Sequence, residues 1–356
     1  MENMVIKKKS IVEDDLKFIN QKIKNKKFFR NKKIIIFGSE GFIGFYLKKY
    51  FIKYFQELKV SELILADKKI RKTKYISKKI KEMKFDLIND NFAKFNIKSN
   101  VIIHAASIAS PVFYRKYPLK TCFVNTEGIK KILEYSKIKK NISVLFFSSS
   151  EIYGNPNTAN IPTRESYNGN VTCCGPRACY DESKRYAETL CYIYAKYFKV
   201  SVKVARPFNN YGPGLDIKDG RVPADFARSI LNKNNIILHS DGTSKRSFCY
   251  IADACAGYIN MIPLKKYTTL NIGNAKEITI EQLAKIYQTI SKIDFNFYPK
   301  IIFNKHKDKN YLTDNPERRC PDLGMAKKII KYKIHTNIYD GVRKYLQFLK
   351  YEYKRN

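Results

Sequence analysis

The chain has 356 residues, 44% hydrophobic and 14% aromatic, with 68 Lys and Arg against 32 Asp and Glu, a formal net charge of +36. That length and apolar content support the core of one large or two ordinary domains and exclude an intrinsically disordered chain. No apolar run approaches the ~18 residues that a bilayer crossing needs, and the eight cysteines, without a CxxC pair, fit neither a disulfide scaffold nor a zinc ribbon.

The lysines of residues 1–10 precede no apolar segment of the secretory kind. With the cysteine usage, this sets the expectation of a reducing compartment, the cytoplasm, and no membrane partner. The excess charge would suit a phosphate backbone. However, only 14 of the basic residues are Arg, and drift toward Lys, Ile and Asn gives the same total. The balance is also uneven: residues 1–33 hold 11 basic and 4 acidic residues, residues 141–190 hold 4 and 5. A nucleic-acid partner is therefore not expected.

In chain order, residues 1–31 read as a basic N-terminal extension, an appendage with a helix over residues 11–24 and no turn leading into a core. From Lys33 onward, apolar runs at 34–37, 63–66, 101–106, 144–147 and 202–205 alternate with helical stretches at 44–58, 125–137 and 181–198. Unbroken apolar strands separated by helices predict a parallel sheet covered on both faces, the doubly wound α/β architecture. Beyond Arg206 the rhythm loosens around Gly212-Pro213-Gly214, leaving room for a smaller C-terminal lobe.

The first strand run ends on Gly38-Ser39-Glu40-Gly41-Phe42-Ile43-Gly44. The first Gly permits a tight turn, the second lets backbone approach a pyrophosphate, and the third lets helix and strand touch. Asp67 closes the next strand 23 residues after Gly44, where a carboxylate would accept hydrogen bonds from a ribose 2′-hydroxyl. That favours NAD over NADP, while Lys68 and Lys69 alongside pull the other way. The expected division is therefore a Rossmann-like, NAD-binding domain at residues 32–206, with a later contribution near 248–274, and a mainly substrate-binding lobe at 207–350.

Oxidation of a hydroxyl needs a base. The four histidines show no triad or metal spacing, and no metal is expected. Tyr180 and Lys184, four apart on a helix, share a face, so the ammonium is expected to lower the phenol toward working pH. Ser148-Ser149-Ser150 directly follows a strand, at the ligand-binding end of a parallel sheet.

Taken together, Gly38–Gly44, Ser149 and Tyr180 with Lys184 resemble the extended short-chain dehydrogenase/reductase family, the NAD-dependent nucleotide-sugar epimerases and dehydratases. The resemblance covers about residues 32–345. Within it, four groups of residues look like the UDP-glucuronate decarboxylase (UDP-xylose synthase) branch. These are His104–Ser107 with Ser110, Pro111 and Tyr114; Ser149–Gly154; Gly175–Glu182 continuing to Leu190; and Asp219–Val222 with Arg318–Asp322.

The resemblance implies decarboxylation of UDP-glucuronate to UDP-xylose through a 4-keto sugar on retained NAD, in a homodimer built on the helix that carries Lys184. It implies Ser149, Glu151, Tyr180, Lys184 and Arg319 as catalytic residues. Cofactor contacts would come from Gly38, Gly41, Phe42, Ile43, Gly44, Asp67, Asp86, Ala105, Ala106 and Ser107, with Tyr180 and Lys184. Substrate contacts would come from Tyr114, Asn209, Arg221, Arg246 and Arg319, with Arg221 and Arg246 suited to the diphosphate.

Some positions depart from the family's usual residues: Ser149 for Thr, Ser183 for Gly, Ile108 for Pro and Cys320 for Lys. Where the 4,6-dehydratases carry Asp-Glu, this chain has Ser150-Glu151, which counts against dehydration. A 4-epimerase or 4,6-dehydratase of another nucleotide sugar, and an inactive binding scaffold, are the competing readings.

Overall fold

The structure is a computed structural model that describes residues 10–70, 77–92, 99–304, 313 and 316–353. Its first half alternates helix and strand: α1 (Ile11–Lys22), β1 (Lys33–Phe37), α2 (Phe42–Lys53), β2 (Glu62–Asp67), β3 (Ile80–Lys84) and β4 (Val101–His104). Then come α3 (Pro111–Lys116), α4 (Pro118–Lys139), β5 (Ser143–Phe147), α5 (Ala178–Phe198) and β6 (Ser201–Pro207). Five of these strands coincide with the five apolar runs. β3 does not, because Ile80-Lys81-Glu82-Met83-Lys84 is half charged. It takes the sheet edge, where only Ile80 is buried.

After β6 follow α6 (Val222–Leu231), α7 (Ile251–Met261), a strand at Thr268–Ile272, α8 (Ile280–Phe295), α9 (Gly324–Ile330) and α10 (Ile338–Tyr353). The strand Thr268–Ile272 pairs with β6 and completes a seven-stranded sheet. Its order is Thr268–Ile272, β6, β5, β4, β1, β2, β3, and every pairing is parallel. This is the expected Rossmann-like sheet. The chain leaves β1 toward β2 and β3, then returns to the other side of β1 at β4. That reversal opens a crevice at the carboxyl ends of β1 and β4, where such sheets bind ligands.

The expectation of an N-terminal appendage is not met for residues 10–29. Val12, Leu16, Ile19 and Ile23 recur at helical spacing and are buried in the main core. Asp15, 1% exposed, accepts hydrogen bonds from Tyr46 Oη (2.8 Å), Tyr250 Oη (2.6 Å) and Lys344 Nζ (3.2 Å). The lysines around this stripe dominate the composition and conceal it. Residues 1–9 lie outside the described residues. Among the described residues no helix is long and apolar enough to cross a membrane.

Candidate active site

The glycine turn is as tight as its sequence suggests. Gly38 has a φ of +80°, and a Cβ there would stand 2.4 Å from the Ala106 nitrogen. A Cβ on Gly44 would fall 1.9 Å from the Gly38 oxygen. Gly41 precedes α2, whose first turn has no side-chain cap, so its N–H groups remain available to an anion. Gly41, Phe42 and Ile43 line a cleft of about 700 Å³, together with Ala105 and Ser107 beyond β4. An uncapped helix N-terminus, side-chain-free at Gly41 and opening on a cleft at the switch point, fits a dinucleotide pyrophosphate.

Asp67 ends β2 and accepts backbone N–H groups from Glu40 (3.0 Å) and Lys69 (3.2 Å), which fixes its carboxylate beside the turn. Asp86, after β3, accepts from the Ile88 N–H at 2.9 Å and pairs with Lys68 at 3.1 Å. Burial opposes its charge, yet these partners hold its carboxyl below the ordinary range. Lys68, which had argued for a 2′-phosphate, is thus occupied. Both carboxylates lie on the β2–β3 side, outside the lining of the cleft.

At the cleft floor, β5 delivers Ser149 and α5 delivers Tyr180 and Lys184. The Ser149 hydroxyl accepts from the Glu151 N–H at 3.2 Å and favours the ionised form of the Tyr180 phenol. Burial pushes that phenol up to about 12, Ser149 and Arg221 pull it down, and Glu151 and Asp181 add to the rise. The expectation that Lys184 lowers the phenol is not met. Its Nζ donates to the Phe147 carbonyl (2.7 Å), stands 5.7 Å from the Tyr180 ring centre, and is itself driven by burial to about 7. Tyr114 stacks on Tyr180, centroids 5.3 Å apart and planes at 14°.

Glu151 accepts hydrogen bonds from Arg319, Nη2 to Oε2 at 2.6 Å and Nη1 to Oε1, and from Arg177 Nη2. Burial alone would raise this carboxyl, but Arg177 and Arg319 hold it at about 2. It is a carboxylate at every physiological pH. Arg177 is the functional residue that sequence reasoning missed. It lies inside the stretch Gly175–Glu182, but its partner is 26 positions earlier, a separation with no periodic signature.

The substrate-side candidates Tyr114, Asn209, Arg221, Arg246 and Arg319 line the same cleft. Arg221 is forked onto Asp219, with Nη2 3.0 Å from Oδ2, and stands 5.8 Å from the Phe42 ring centre. Asn209, at a φ of +40°, donates from Nδ2 to the Ser247 carbonyl at 3.1 Å. Arg246 donates to the carbonyls of Lys245 (2.8 Å), Glu317 (2.9 Å) and Pro316. Burial, with the charges of Arg319 and Arg177, pushes it down to about 9.

Ser183, in place of the family's Gly, is buried. It accepts from Asn125 Nδ2 (2.9 Å) and donates to the Tyr180 carbonyl (3.0 Å), while Asn125 in turn accepts from Ser107 (2.8 Å). These bonds tie α4 to α5 at Tyr180. Among the described residues no cluster of His, Cys, Asp and Glu could hold a metal.

Comparison with known proteins agrees with this geometry. A profile of the "NAD dependent epimerase/dehydratase family" matches residues 34–273. UDP-glucuronic acid decarboxylase 6 of Arabidopsis thaliana is 33% identical over 323 residues, 90% of this chain and 90% of its own. UDP-glucuronic acid decarboxylase 1 of Danio rerio is 32% identical over 324 residues, 90% of this chain and 73% of its own. Among solved structures, the UDP-glucose 4-epimerase of Thermotoga maritima superposes with a TM-score of 0.78 at 18% identity, covering 90% of this chain and 99% of that one. The UDP-glucuronic acid 4-epimerase of Bacillus cereus, solved with UDP-glucuronic acid and NAD, gives 0.75 at 21% identity over 90% and 100%. The last two are likenesses of fold.

Proposed function

Because the chain belongs to the NAD dependent epimerase/dehydratase family, we propose that it is an NAD-dependent lyase converting UDP-glucuronate to UDP-xylose and carbon dioxide. The observation that carries this over dehydration is the pair Ser150-Glu151. Dehydration needs a protonated carboxyl to discharge a hydroxyl. Position 150 is a buried serine, and Glu151 is held ionised by Arg177 and Arg319. The relatives of about one-third identity over nine-tenths of both chains support the same reading.

The uncapped start of α2 and Gly38, Gly41 and Gly44 would hold the NAD pyrophosphate, with Asp67 on the ribose. Bound NAD supplies a reversible hydride acceptor. Tyr180 takes the proton of the sugar 4-hydroxyl, and Ser149 retains the oxygen. Once C4 is a ketone, the C6 carboxylate is β to it and leaves as carbon dioxide, its bonding electrons passing to the C4 oxygen. Arg319 orients that carboxylate while Glu151 fixes Arg319. One proton taken up from solvent replaces the carboxylate at C5, the hydride returns to C4 and Tyr180 gives its proton back to the C4 oxygen, a cycle with no net redox change.

Residues 32–206, with the return at 248–274, would serve the cofactor, and 207–350 chiefly the substrate. A homodimer is supported by the exposed Tyr186, Tyr192 and Tyr197 along α5, beside the exposed Phe123 of α4. The eight free cysteines support a cytoplasmic setting. Incubation with UDP-glucuronate and mass analysis of the nucleotide sugar is the test. Loss of carbon dioxide without accumulated NADH is expected. A mass-neutral isomer or loss of water would overturn the assignment in favour of an epimerase or a dehydratase.

A further inference from the structure

Two guanidinium groups grip Glu151, and they are held differently. Arg319, on the two-residue strand Arg318–Arg319, gives both Nη groups to Glu151, and the buried Nε of Arg319, like that of Arg177, has no hydrogen-bond partner. Arg177 caps the start of α5 and is 5% exposed. It shares Glu151 Oε2, stands 3.7 Å from Asp181 Oδ2 one turn along the helix, and lies 5.9 Å from the Tyr114 ring centre. Arg177 thus has a second carboxylate and a ring to fix it, whereas Arg319 is held at its guanidinium by Glu151.

We infer that Arg177 is a positioning residue, the standing counter-ion of Glu151, which leaves Arg319 free to turn to the substrate carboxylate without Glu151 losing its charge. The second half of this statement rests on the proposed activity; the first does not. If Arg319 alone neutralised Glu151, an arriving carboxylate would place two anions on one cation. One of them would take up a proton, as carboxylates forced to share a site do. With Arg177 in place, the carboxylates of Glu151, Asp181 and the substrate meet the guanidinium groups of Arg177, Arg319 and Arg246. The remaining charged and titratable groups facing Glu151 are Arg246, Tyr114 and Tyr180, with Asp181 behind Arg177. Arg177 also reaches the base, because the Tyr114 ring it covers is the one stacked on Tyr180.

The test is direct titration of Glu151 by isotope-edited infrared spectroscopy, with Glu151→Gln as the difference blank, in the wild type, Arg177→Gln, Arg177→Lys and Arg319→Gln. Arg177→Gln is expected to raise the Glu151 midpoint by about tenfold or more in proton affinity, and Arg177→Lys to recover most of it. The acid limb of kcat/KM should move up with the midpoint. Arg319→Gln should abolish turnover with the smaller carboxyl shift. An unmoved midpoint in Arg177→Gln, or a larger shift in Arg319→Gln, overturns the inference. Should Arg177→Gln fail to fold, proton uptake on binding decides. Tyr180→Phe should take up no more protons from pH 6 buffer with UDP-glucuronate than with UDP-glucose, and one additional proton overturns the inference. A wild type inactive on UDP-glucuronate would sink the proposed activity, while the infrared titration would still decide the role of Arg177.

Discussion

At the scale of residues, the division of labour between Ser149 and Tyr180 is open to simple substitution. Tyr180→Phe removes one oxygen from a buried ring and leaves its stack on Tyr114. Turnover is expected to fall about 10²–10⁴-fold, the range for losing a positioned acid–base group, with the NAD content of the purified protein unchanged by extraction and chromatography. Ser149→Thr keeps the hydroxyl and should retain activity within a few-fold. Ser149→Ala should lower kcat more than it raises KM, because the lost hydrogen bond is to the group that ionises. Steady-state kinetics on UDP-glucuronate separate these outcomes. Both residues were legible in the sequence, since each follows from a local pattern: a hydroxyl after a strand, and a Tyr one helical turn before a Lys. What sets the phenol was not legible, because burial and Arg221, 41 positions away, belong to the tertiary fold.

Elements bring in a second kind of evidence, their interior. β6 was recognisable as a strand although Lys203 interrupts its apolar run. The structure leaves that lysine fully buried without an acidic partner among the described residues. Its Nζ donates to the Ser201 hydroxyl at 2.9 Å and to the Ser143 hydroxyl, and burial drives it to about 7. A folded pKa below the ordinary 10.5 means the unfolded chain binds more protons between those values. Stability from this site therefore rises with pH from about 7 to 10.5 and carries the full penalty below 7. Lys203→Met is expected to stabilise the protein most at or below pH 7 and to flatten that slope, which urea denaturation at pH 6, 8 and 10 would measure. α1 teaches the converse. Its helix was legible, but its membership of the core was not, because four apolar positions among lysines state a periodicity and not a partner. Leu16→Ala should cost about 2–5 kcal/mol, the range for emptying a well-packed leucine site.

For the whole molecule, charge and topology act together. The parallel sheet was readable from alternating strands and helices, while its switch point and the edge strand β3 were not, the first being a matter of strand order and the second too polar to announce itself. The net charge of +36 surrounds a cleft lined by Arg177, Arg221, Arg246 and Arg319, so an anionic nucleotide sugar should be drawn in by long-range attraction. kcat/KM is expected to fall several-fold between about 20 and 300 mM salt, as screening shortens to below about 10 Å, with kcat nearly constant. A fall in kcat instead would place the salt effect in the chemistry. The bond network around Asp15 reaches furthest along the chain. Its partners Tyr250 and Lys344 follow it by 235 and 329 positions, so during synthesis α1 is made long before the surfaces it docks on. The docking of α1 on these distant partners is then expected to come late, after the main folding barrier. Leu16→Ala should accordingly speed unfolding while scarcely slowing refolding, which makes the first helix of the chain a latch on its lifetime.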